Sequence, residues 1–525
     1  MLLREISRKL ATMFLAKFFA EKFRTKIKTE KALRQLKIQA IGKSGILPKN
    51  SELLHLYQKL LAAKKIPRQT TLEQLLKKSS IRTLSGIAPV AVLTKPAGCP
   101  GKCIFCPSEP GIPKSYLAKE PAVLRALRAK FDPYHQTRNR LQTLRACGHS
   151  TAKVELIILG GTFSAQPKNY QNYFLKRCLA ALNLPRKTRK NDLRSYQKIN
   201  ETASNRLVGL TIETRPDFIN PAEVQHLLKL GVTRVELGMQ SDSDAILRRV
   251  KRGHDNATTI RAIKLLKDAG LKVGLHIMLN LPGATPASDY QTLQAIFTNA
   301  VYKPDQLKIY PTVLTRGSAL IKLFRQKTWQ PYSDQTLTKL LSRIKANTPE
   351  WLRLSRIIRD IPATEILAGS KITNLRQVLQ KQGVHCRCIR CREIRSTEFK
   401  KTHLIRRDYE ASAGQEIFLS YETPTNRLLS LLRLRLPPHS PTALIRELHS
   451  YGPALPISTR GKSAQHHGYG RRLISVAEKI ATAAHYTKIK VTAGIGVRPY
   501  YRKFGYRVER KGTLMLKPLR APQKR

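Results

Sequence analysis

The chain has 525 residues and a net charge of +62, because 96 Lys and Arg face only 34 Asp and Glu. This length predicts about three domains, and a hydrophobic content of 41% excludes wholesale disorder. Such a charge favours nucleic acid as the partner, with a general basic surface bias as the alternative. The most apolar stretch, Leu10–Ala20, is short and carries Lys17, so we expect no membrane attachment.

Residues 1–80 carry 19 basic and 5 acidic side chains and show helical periodicity. They predict a basic helical extension that binds RNA, and a solvated helical extension is the alternative.

Residues 81–370 alternate strand-like and helical segments, which predicts a parallel sheet in a doubly wound fold or a full or partial barrel. In a barrel, the chemistry would lie at the carboxyl ends of the strands. The apolar runs that predict these strands are Val154–Leu159, Val208–Ile212, Thr233–Leu237, Val273–Leu279 and Gln306–Tyr310.

Residues 371–405 read as a short basic linker, and residues 406–525 as an α+β domain with one long helix over Gly470–Ala484. Six of the eight cysteines form two tight clusters. Clusters at metal-ligand spacing indicate metal sites in a reducing cytoplasm rather than disulfides. The two lone cysteines, Cys147 and Cys178, are expected to be packing residues.

The first cluster, Cys99, Cys103 and Cys106, has the spacing C-x3-C-x2-C. Three thiolates can hold three irons of a [4Fe–4S] cluster and leave the fourth iron open to a small molecule. A structural zinc site is the alternative, but no fourth ligand lies nearby. With Phe105 before the last cysteine, the motif resembles the radical S-adenosylmethionine (SAM) superfamily, which implies a SAM-derived 5′-deoxyadenosyl radical. Residues at or near the predicted strand ends are expected to lie beside SAM: Gly160, Gly161, Glu213 and Gln240. His276 also lies near a strand end, and for Glu213, Gln240 and His276 a structural role is the alternative.

A second motif, Q-x-x-G-x-G, runs from Gln465 to Gly470 directly before the long helix. Backbone N–H groups at a helix N-terminus suit a pyrophosphate, and the motif resembles motif A of the GCN5-related (GNAT) acetyltransferases, which bind coenzyme A there. In that family, a tyrosine at the position of Tyr501 lies near the thioester sulfur and can protonate a thiolate. A packed aromatic residue is the alternative for Tyr501.

A radical SAM domain followed by an acetyltransferase domain resembles the catalytic subunit family of Elongator, the tRNA wobble-uridine acetyltransferases, over about residues 81–518. The resemblance implies a partial TIM-type (β/α) radical SAM barrel, then a GNAT domain, with a basic helical N-terminal extension that binds tRNA. It implies that the radical activates the acetyl group of acetyl-CoA, which adds to C5 of uridine 34 in the anticodon loop. Thioester hydrolysis would then give 5-carboxymethyluridine.

The resemblance also assigns residues. Lys153 and Tyr501 are implied to be catalytic, and an electron donor is a further partner; a homodimer is left open. The implied acetyl-CoA contacts are Lys153, Glu447, Leu448, His449, Ser450, Tyr469, Gly470, Arg471 and Tyr501. The implied cluster ligands are Cys99, Cys103 and Cys106.

The second cysteine cluster, Cys386, Cys388 and Cys391, predicts a zinc site in the linker. Its fourth ligand would be His385 or the distant His449, and free buried thiols are the alternative.

Two other functions are compatible with parts of the sequence: a protein lysine acetyltransferase with a structural iron–sulfur site, and a non-catalytic RNA-binding protein. The net charge of +62 opposes the first, because it would repel a basic peptide. The intact cysteine and coenzyme motifs oppose the second.

Overall fold

The computed structural model describes residues 13–77, 83–395, 399, 401–453, 467–509 and 514–519. It divides into two compact units, one of residues 1–88 with 138–152 and the other of residues 89–137 with 153–525. Within the described ranges, no helix is both long and apolar enough to cross a bilayer.

The first unit is helical. Its described helices are α1 within residues 13–22, α2 (Glu30–Ser44), α3 (Asn50–Ala62) and α4 (Thr70–Leu76). Thr29 caps α2 by accepting a hydrogen bond from the N–H of Ala32, and apolar faces bury a small core around Phe23 and Leu72. Gln69 joins the helices, because its side chain donates to the carbonyl of Phe23 at 2.7 Å while its N–H donates to the hydroxyl of Tyr57 at 2.6 Å.

The second unit begins with a seven-stranded sheet in the order β1-β2-β3-β4-β5-β6-β8. Neighbouring strands from β2 to β8 in this order are parallel, which gives the predicted partial barrel. The strands are β1 (Ile87–Leu93), β2 (Lys153–Leu159), β3 (Arg206–Thr214), β4 (Arg234–Gln240), β5 (Lys272–Leu279), β6 (Gln306–Pro311) and β8 (Arg353–Arg356).

Helices connect these strands, as the sequence pattern predicts. For example, Asn220 caps α9 with Pro221 at its first position, and Gly231 ends it at φ +85°. The helices are α5 (Pro121–Arg128), α6 (Pro133–Ala146), α7 (Lys168–Asn183), α8 (Leu193–Asn200), α9 (Pro221–Leu230), α10 (Asp244–Arg249), α11 (Asn256–Asp268), α12 (Pro286–Thr298), α13 (Leu320–Arg325) and α14 (Asp334–Ala346). Strands β7 (Leu314–Thr315) and β9 (Ile366–Ala368) form a separate antiparallel pair.

Two short helices, α15 (Leu375–Lys381) and α16 (Ile389–Arg392), follow the barrel. A second seven-stranded sheet then has the order β10-β11-β12-β13-β14-β16-β15. Helix α17 (Tyr469–Ala483) packs on it around Leu473 and Ala477, and α18 (Arg498–Arg502) follows. The strands are β10 (His403–Glu410), β11 (Gln415–Glu422), β12 (Leu428–Leu436), β13 (Thr442–Ser450), β14 (Lys488–Val491), β15 (Arg507–Val508) and β16 (Met515–Pro518).

Buried arginines join the second sheet to the barrel. Arg446 donates to both carboxylate oxygens of Asp305 at 2.7 Å and to Glu416 at 2.7 Å. Arg435 pairs with Asp268 at 2.5 Å, and Arg433 donates to the carbonyl of Trp351 at 2.6 Å. All three arginines are at most 1% exposed, so each charge depends on these partners.

Candidate functional site

The loop after β1 carries Cys99, Cys103 and Cys106. The guanidinium of Arg252 lies 3.5 Å from the sulfur of Cys103 and bridges to the carbonyl of Gly238. A hydrogen bond from Cys106 and the positive charge of Arg252 lower the pKa of the Cys103 thiol. Arg215 also lies against this loop, and one of its buried amino groups has no partner among the described residues. This cationic setting stabilises thiolates and fits a thiolate-bound cluster.

The turn after β2 meets the same loop. Gly160 and Gly161 have φ values of +139° and +84°, which a residue with a side chain rarely adopts. A Cβ on Gly160 would also collide with the side chain of Thr94. Thr162 follows the pair, and its hydroxyl lies 3.9 Å from the sulfur of Cys99. The glycines therefore bring the backbone beside the cysteine loop.

Gln240 ends β4 with φ +74°, and its buried side-chain oxygen has no partner in the described part of the chain. Such an orphaned acceptor fits a polar ligand. The three cysteines, the glycine pair and Gln240 thus lie at or beyond the carboxyl ends of parallel strands, where barrel ligands are expected. These residues suit the cluster and SAM that the sequence predicts.

Inside the barrel, Glu213 and His276 belong to a cluster that the sequence analysis only partly identified. Their ligating atoms and those of Glu236 all lie within 4.8 Å of one another. Lys308 pairs with both carboxylates, at 3.3 Å from Glu213, and His276 contacts Glu236 at 3.0 Å. Neighbouring cations, Lys308 first, hold the pKa of Glu236 well below its usual range despite burial. The ammonium of Lys308 takes the place that a metal cation would need.

Strand β13 carries the predicted coenzyme A contacts Glu447, Leu448, His449 and Ser450. Its parallel pairing with β14 stops at Ile445, and a register shift against β12 follows at once. The last residues of β13 therefore extend past the end of β14 (Lys488–Val491), and the gap beside them leaves backbone groups open to a ligand.

The side chains on this half of β13 are half-buried and mostly paired. Glu447 contacts Lys272 at 3.4 Å and Arg433 at 2.8 Å. His449 lies against Tyr451 with a ring separation of 4.3 Å, and its buried Nε2 has no partner within the described ranges. Burial lowers the pKa of His449 to about 4, so the ring is neutral near pH 7. Ser450 and Ser430 bring their hydroxyls to 2.9 Å.

Helix α17 begins at Tyr469, after Gly468 at φ +76°. Gln465 of the predicted motif lies outside the described residues. A Cβ on Gly470 would lie 2.7 Å from the hydroxyl of Tyr500 and 3.7 Å from Leu448, so the first turn of α17 borders the gap beside β13. Arg471 is exposed on this turn. These features fit an acyl-CoA, whose pyrophosphate suits a helix N-terminus.

Lys153 and Tyr501, the two residues that the resemblance marks as catalytic, occupy different settings. Tyr501 is 5% exposed in the core of the second sheet and packs edge-on against Tyr500 and Tyr506. Its burial raises the pKa of its hydroxyl well above the usual range, which keeps it protonated. Lys153 begins β2, and burial together with the neighbouring Arg206 lowers the pKa of its ammonium.

The second cysteine cluster comes together, whereas Cys99, Cys103 and Cys106 do not form such a close group in the described part of the chain. The sulfurs of Cys386, Cys388 and Cys391 lie within 4.8 Å of one another. Hydrogen bonds from Cys386 and Cys391 hold the pKa of the Cys388 thiol well below its usual range. In the described part of the structure, neither His385 nor His449 belongs to this group. Three thiols in one place supply three of the four ligands of a structural zinc site.

Comparisons with known proteins agree with this geometry. The sequence profile of the Radical SAM superfamily matches residues 94–296, and that of the Radical_SAM C-terminal domain matches residues 304–383. The tRNA uridine(34) acetyltransferase of Methanocaldococcus infernus is 45% identical over 523 residues, which cover 93% of this chain and 96% of that protein. This chain belongs to the tRNA uridine(34) acetyltransferase family. Elongator complex protein 3 of Homo sapiens is 38% identical over 477 residues, which cover 85% of this chain and 86% of that protein.

The family likeness is structural as well. The archaeal Methanocaldococcus infernus Elp3, solved with an N-terminal deletion, matches with a TM-score of 0.73 and 42% identity, covering 83% of this chain and all of that one. The tRNA uridine(34) acetyltransferase of Methanocaldococcus jannaschii aligns with 97% of this chain at 43% identity. The likeness therefore extends beyond residues 81–518, where the motifs alone had placed it.

Several polar residues of the site escaped the sequence analysis. Arg215 and Arg252 lie beside the first cysteine loop, and Glu236 and Lys308 fill the barrel cluster. Arg215, Glu236 and Lys308 lie in or directly after strands that were recognised by their apolar residues, and Arg252 lies in the loop after α10, so none of these charges belonged to a recognised metal or cofactor motif. The signal that could have found Glu236 and Lys308 is the alternation of side chains along β4 and β6, because every second residue of such a strand points into the barrel.

Proposed function

We propose that this chain converts uridine 34 in the anticodon loop of tRNA to 5-carboxymethyluridine, with acetyl-CoA as the carbon donor. The observation that supports it most is that the cysteine loop of radical SAM type and the second sheet, with its motif that resembles the acetyltransferases, belong to one compact unit. Relatives named tRNA uridine(34) acetyltransferase match 93% and 97% of the chain. The net charge of +62 suits a tRNA substrate.

Cys99, Cys103 and Cys106 would hold the [4Fe–4S] cluster, and Gly160, Gly161, Glu213 and Gln240 would line the SAM site. When bound, this pair supplies a 5′-deoxyadenosyl radical that takes a hydrogen from the acetyl methyl. Arg252 and Arg215 help to lower the pKa of the Cys103 thiol and so favour its thiolate, which is the form that binds iron.

In the second sheet, the gap beside β13 would hold acetyl-CoA, with its pyrophosphate at Tyr469, Gly470 and Arg471. Tyr501 would remain protonated and could donate that proton to the departing thiolate of coenzyme A, because burial raises its pKa. Lys153 would lie near the acyl end. The basic extension over residues 1–80 would bind tRNA, a reductant would supply the electron, and eight free cysteines favour a cytoplasmic setting.

The test is anaerobic incubation of the cluster-loaded protein with tRNA, SAM, reductant and acetyl-CoA carrying ¹³C in its methyl group. Mass spectrometry of the wobble nucleosides should find 5-carboxymethyluridine with one ¹³C. Formation of 5′-deoxyadenosine without a labelled nucleoside would reject the acceptor or the acyl donor. Labelled acetyl-lysine in its place would favour the protein acetyltransferase.

We further propose that Cys386, Cys388 and Cys391 bind zinc. Cys388→Ser should remove the zinc ion and lower the melting temperature, because a structural zinc site contributes folding free energy. Metal analysis by mass spectrometry of the cluster-loaded protein measures this. Cys147→Ser, which changes a lone half-buried cysteine, should keep the zinc. Equal zinc content in both variants would rule out this ligand set.

A further inference from the structure

The two candidate sites lie at opposite ends of the same parallel strands. The cysteine loop and the glycine pair follow the carboxyl ends of β1 and β2. In contrast, Glu447 of β13 contacts Lys272, which is the first residue of β5. A strand of eight residues spans roughly 26 Å at about 3.3 Å per residue. One reaction that uses both sites therefore needs a route along the barrel.

The side chains of Glu213, His276 and Lys308 inside the barrel are 12%, 13% and 13% exposed, so part of the barrel interior is accessible. On one face of β2, Val154, Leu156 and Ile158 are at most 1% exposed. On the inner face, Glu155 and Ile157 are only half-buried. In a closed (β/α) barrel, layers of bulky branched side chains fill the interior. Here the inner face carries charges, and glycines occupy inward positions at Gly209 and Gly274, where a Cβ would meet Glu155 and Glu236 respectively.

A row of charged side chains, here called the file, runs along this interior from one end of the strands to the other. It starts near Glu447 and Lys272 and continues through Glu155, which pairs with Arg234 at 2.5 Å. Arg234 also contacts Glu236 at 3.3 Å. The file then passes Lys308 to Glu213, whose carboxylate accepts a hydrogen bond from Tyr116 at 2.8 Å. Polar groups thus line the whole distance between the two ends.

We propose that the barrel interior is the passage by which the acyl end of acetyl-CoA reaches the radical site from the rim beside β13. This inference rests on the proposed function. The arm of coenzyme A carries amides and a thioester, whose carbonyls can accept hydrogen bonds from Lys308 and whose N–H groups can donate to Glu213 and Glu236. Those same carboxylates repel phosphates, so an RNA backbone does not fit this interior.

Gly209 is the position at which the passage can be blocked with the least strain. A Cβ there would lie 3.5 Å from Cγ of Glu155 and 3.6 Å from Oγ1 of Thr233, which are ordinary contacts. Gly209 pairs with Glu155 across β2 and β3, so a longer side chain would project into the file of charges near the rim. The cysteine loop and the gap beside β13 would be left intact.

The experiment compares Gly209→Leu with Ala222→Leu, which enlarges an exposed alanine on α9 outside the barrel. Acetyl-CoA with a trideuterated methyl group is given to the cluster-loaded protein with SAM, reductant and tRNA. In Gly209→Leu, deuterium transfer into 5′-deoxyadenosine should fall by at least roughly 100-fold, because a misplaced reactant forfeits the proximity gain. Acetyl-CoA binding and uncoupled 5′-deoxyadenosine formation should persist, and Ala222→Leu should match the wild type in all three.

Gly209→Cys is the gentler second variant. Carbamidomethylation of that thiol in the folded, cluster-loaded protein should block deuterium transfer, and acetyl-CoA should protect the thiol from the reagent. Wild-type deuterium transfer in Gly209→Leu, or in the modified Gly209→Cys protein, would overturn the passage while leaving the proposed function intact. Absence of transfer in the wild type would overturn both.

Discussion

Cys103→Ala should abolish product formation by about 10⁴-fold or more, because residues that act as one unit lose nearly all activity when one is removed. Cys103 is the cysteine of the loop that Arg252 contacts, at 3.5 Å, and its thiol pKa is lowered by Cys106 and by this guanidinium. Under the proposed ligand set, two thiolates would remain for a cluster that needs three. The measurement is the yield of 5′-deoxyadenosine and of labelled nucleoside under anaerobic conditions.

Acetyl-CoA binding serves as the internal control for this variant. The gap beside β13 lies at the other end of the strands, so Cys103→Ala should bind acetyl-CoA as the wild type does. Cys147→Ala, at a lone cysteine, should keep both the cluster absorbance and the product. If Cys103→Ala still formed 5′-deoxyadenosine at the wild-type rate, the cluster would have to lie elsewhere.

Arg446→Ala should lower the free energy of unfolding by about 3–5 kcal/mol, the cost of breaking a buried ion pair. Arg446 is 1% exposed and makes a two-point contact with Asp305 at 2.7 Å, and it also bonds Glu416. Removing it leaves two buried carboxylates with fewer counter-charges. Denaturant unfolding of the second unit measures the loss. The stability of Arg446→Lys should lie between those of the wild type and Arg446→Ala, since an ammonium cannot make the two-point contact of a guanidinium.

The matched control is Arg406→Ala. Arg406 pairs with Asp408 at the same distance of 2.7 Å, but its side chain is 49% exposed. Solvent screens such a pair, so its loss should cost about 0–1 kcal/mol. Similar losses in the two variants would mean that the arginine joint between sheet and barrel does not depend on burial.

The sequence predicted several strands that consist of apolar runs. The runs over Val154–Leu159 and Gln306–Tyr310 agree within one residue with β2 and β6 at each end. By contrast, β8 (Arg353–Arg356) and β10 (His403–Glu410) were missed, because their polar residues give no apolar run. Strand pairing supplies what propensity alone does not.

In the candidate sites, likewise, the sequence indicates some features and not others. A closely spaced motif such as Cys99 to Cys106 can be recognised in the sequence because its residues are near neighbours in the chain, and the Radical SAM profile matches the segment that contains it. The partners of Arg446 were not, since Asp305 lies 141 residues away in the chain. Lys308 likewise reads as an ordinary surface lysine until the parallel register places it beside His276. Long-range pairing of charges is set by the assembled sheets and has no signature in one sequence.

The most direct test of the central claim counts deuterium after one turnover with acetyl-CoA whose methyl group is fully deuterated. If a methyl hydrogen is removed before carbon–carbon bond formation, the 5-carboxymethyluridine of tRNA should carry two deuterium atoms and 5′-deoxyadenosine should gain one. An acetyl group transferred intact, with three deuterium atoms on a nucleoside or on a protein lysine and none in 5′-deoxyadenosine, would contradict the radical mechanism.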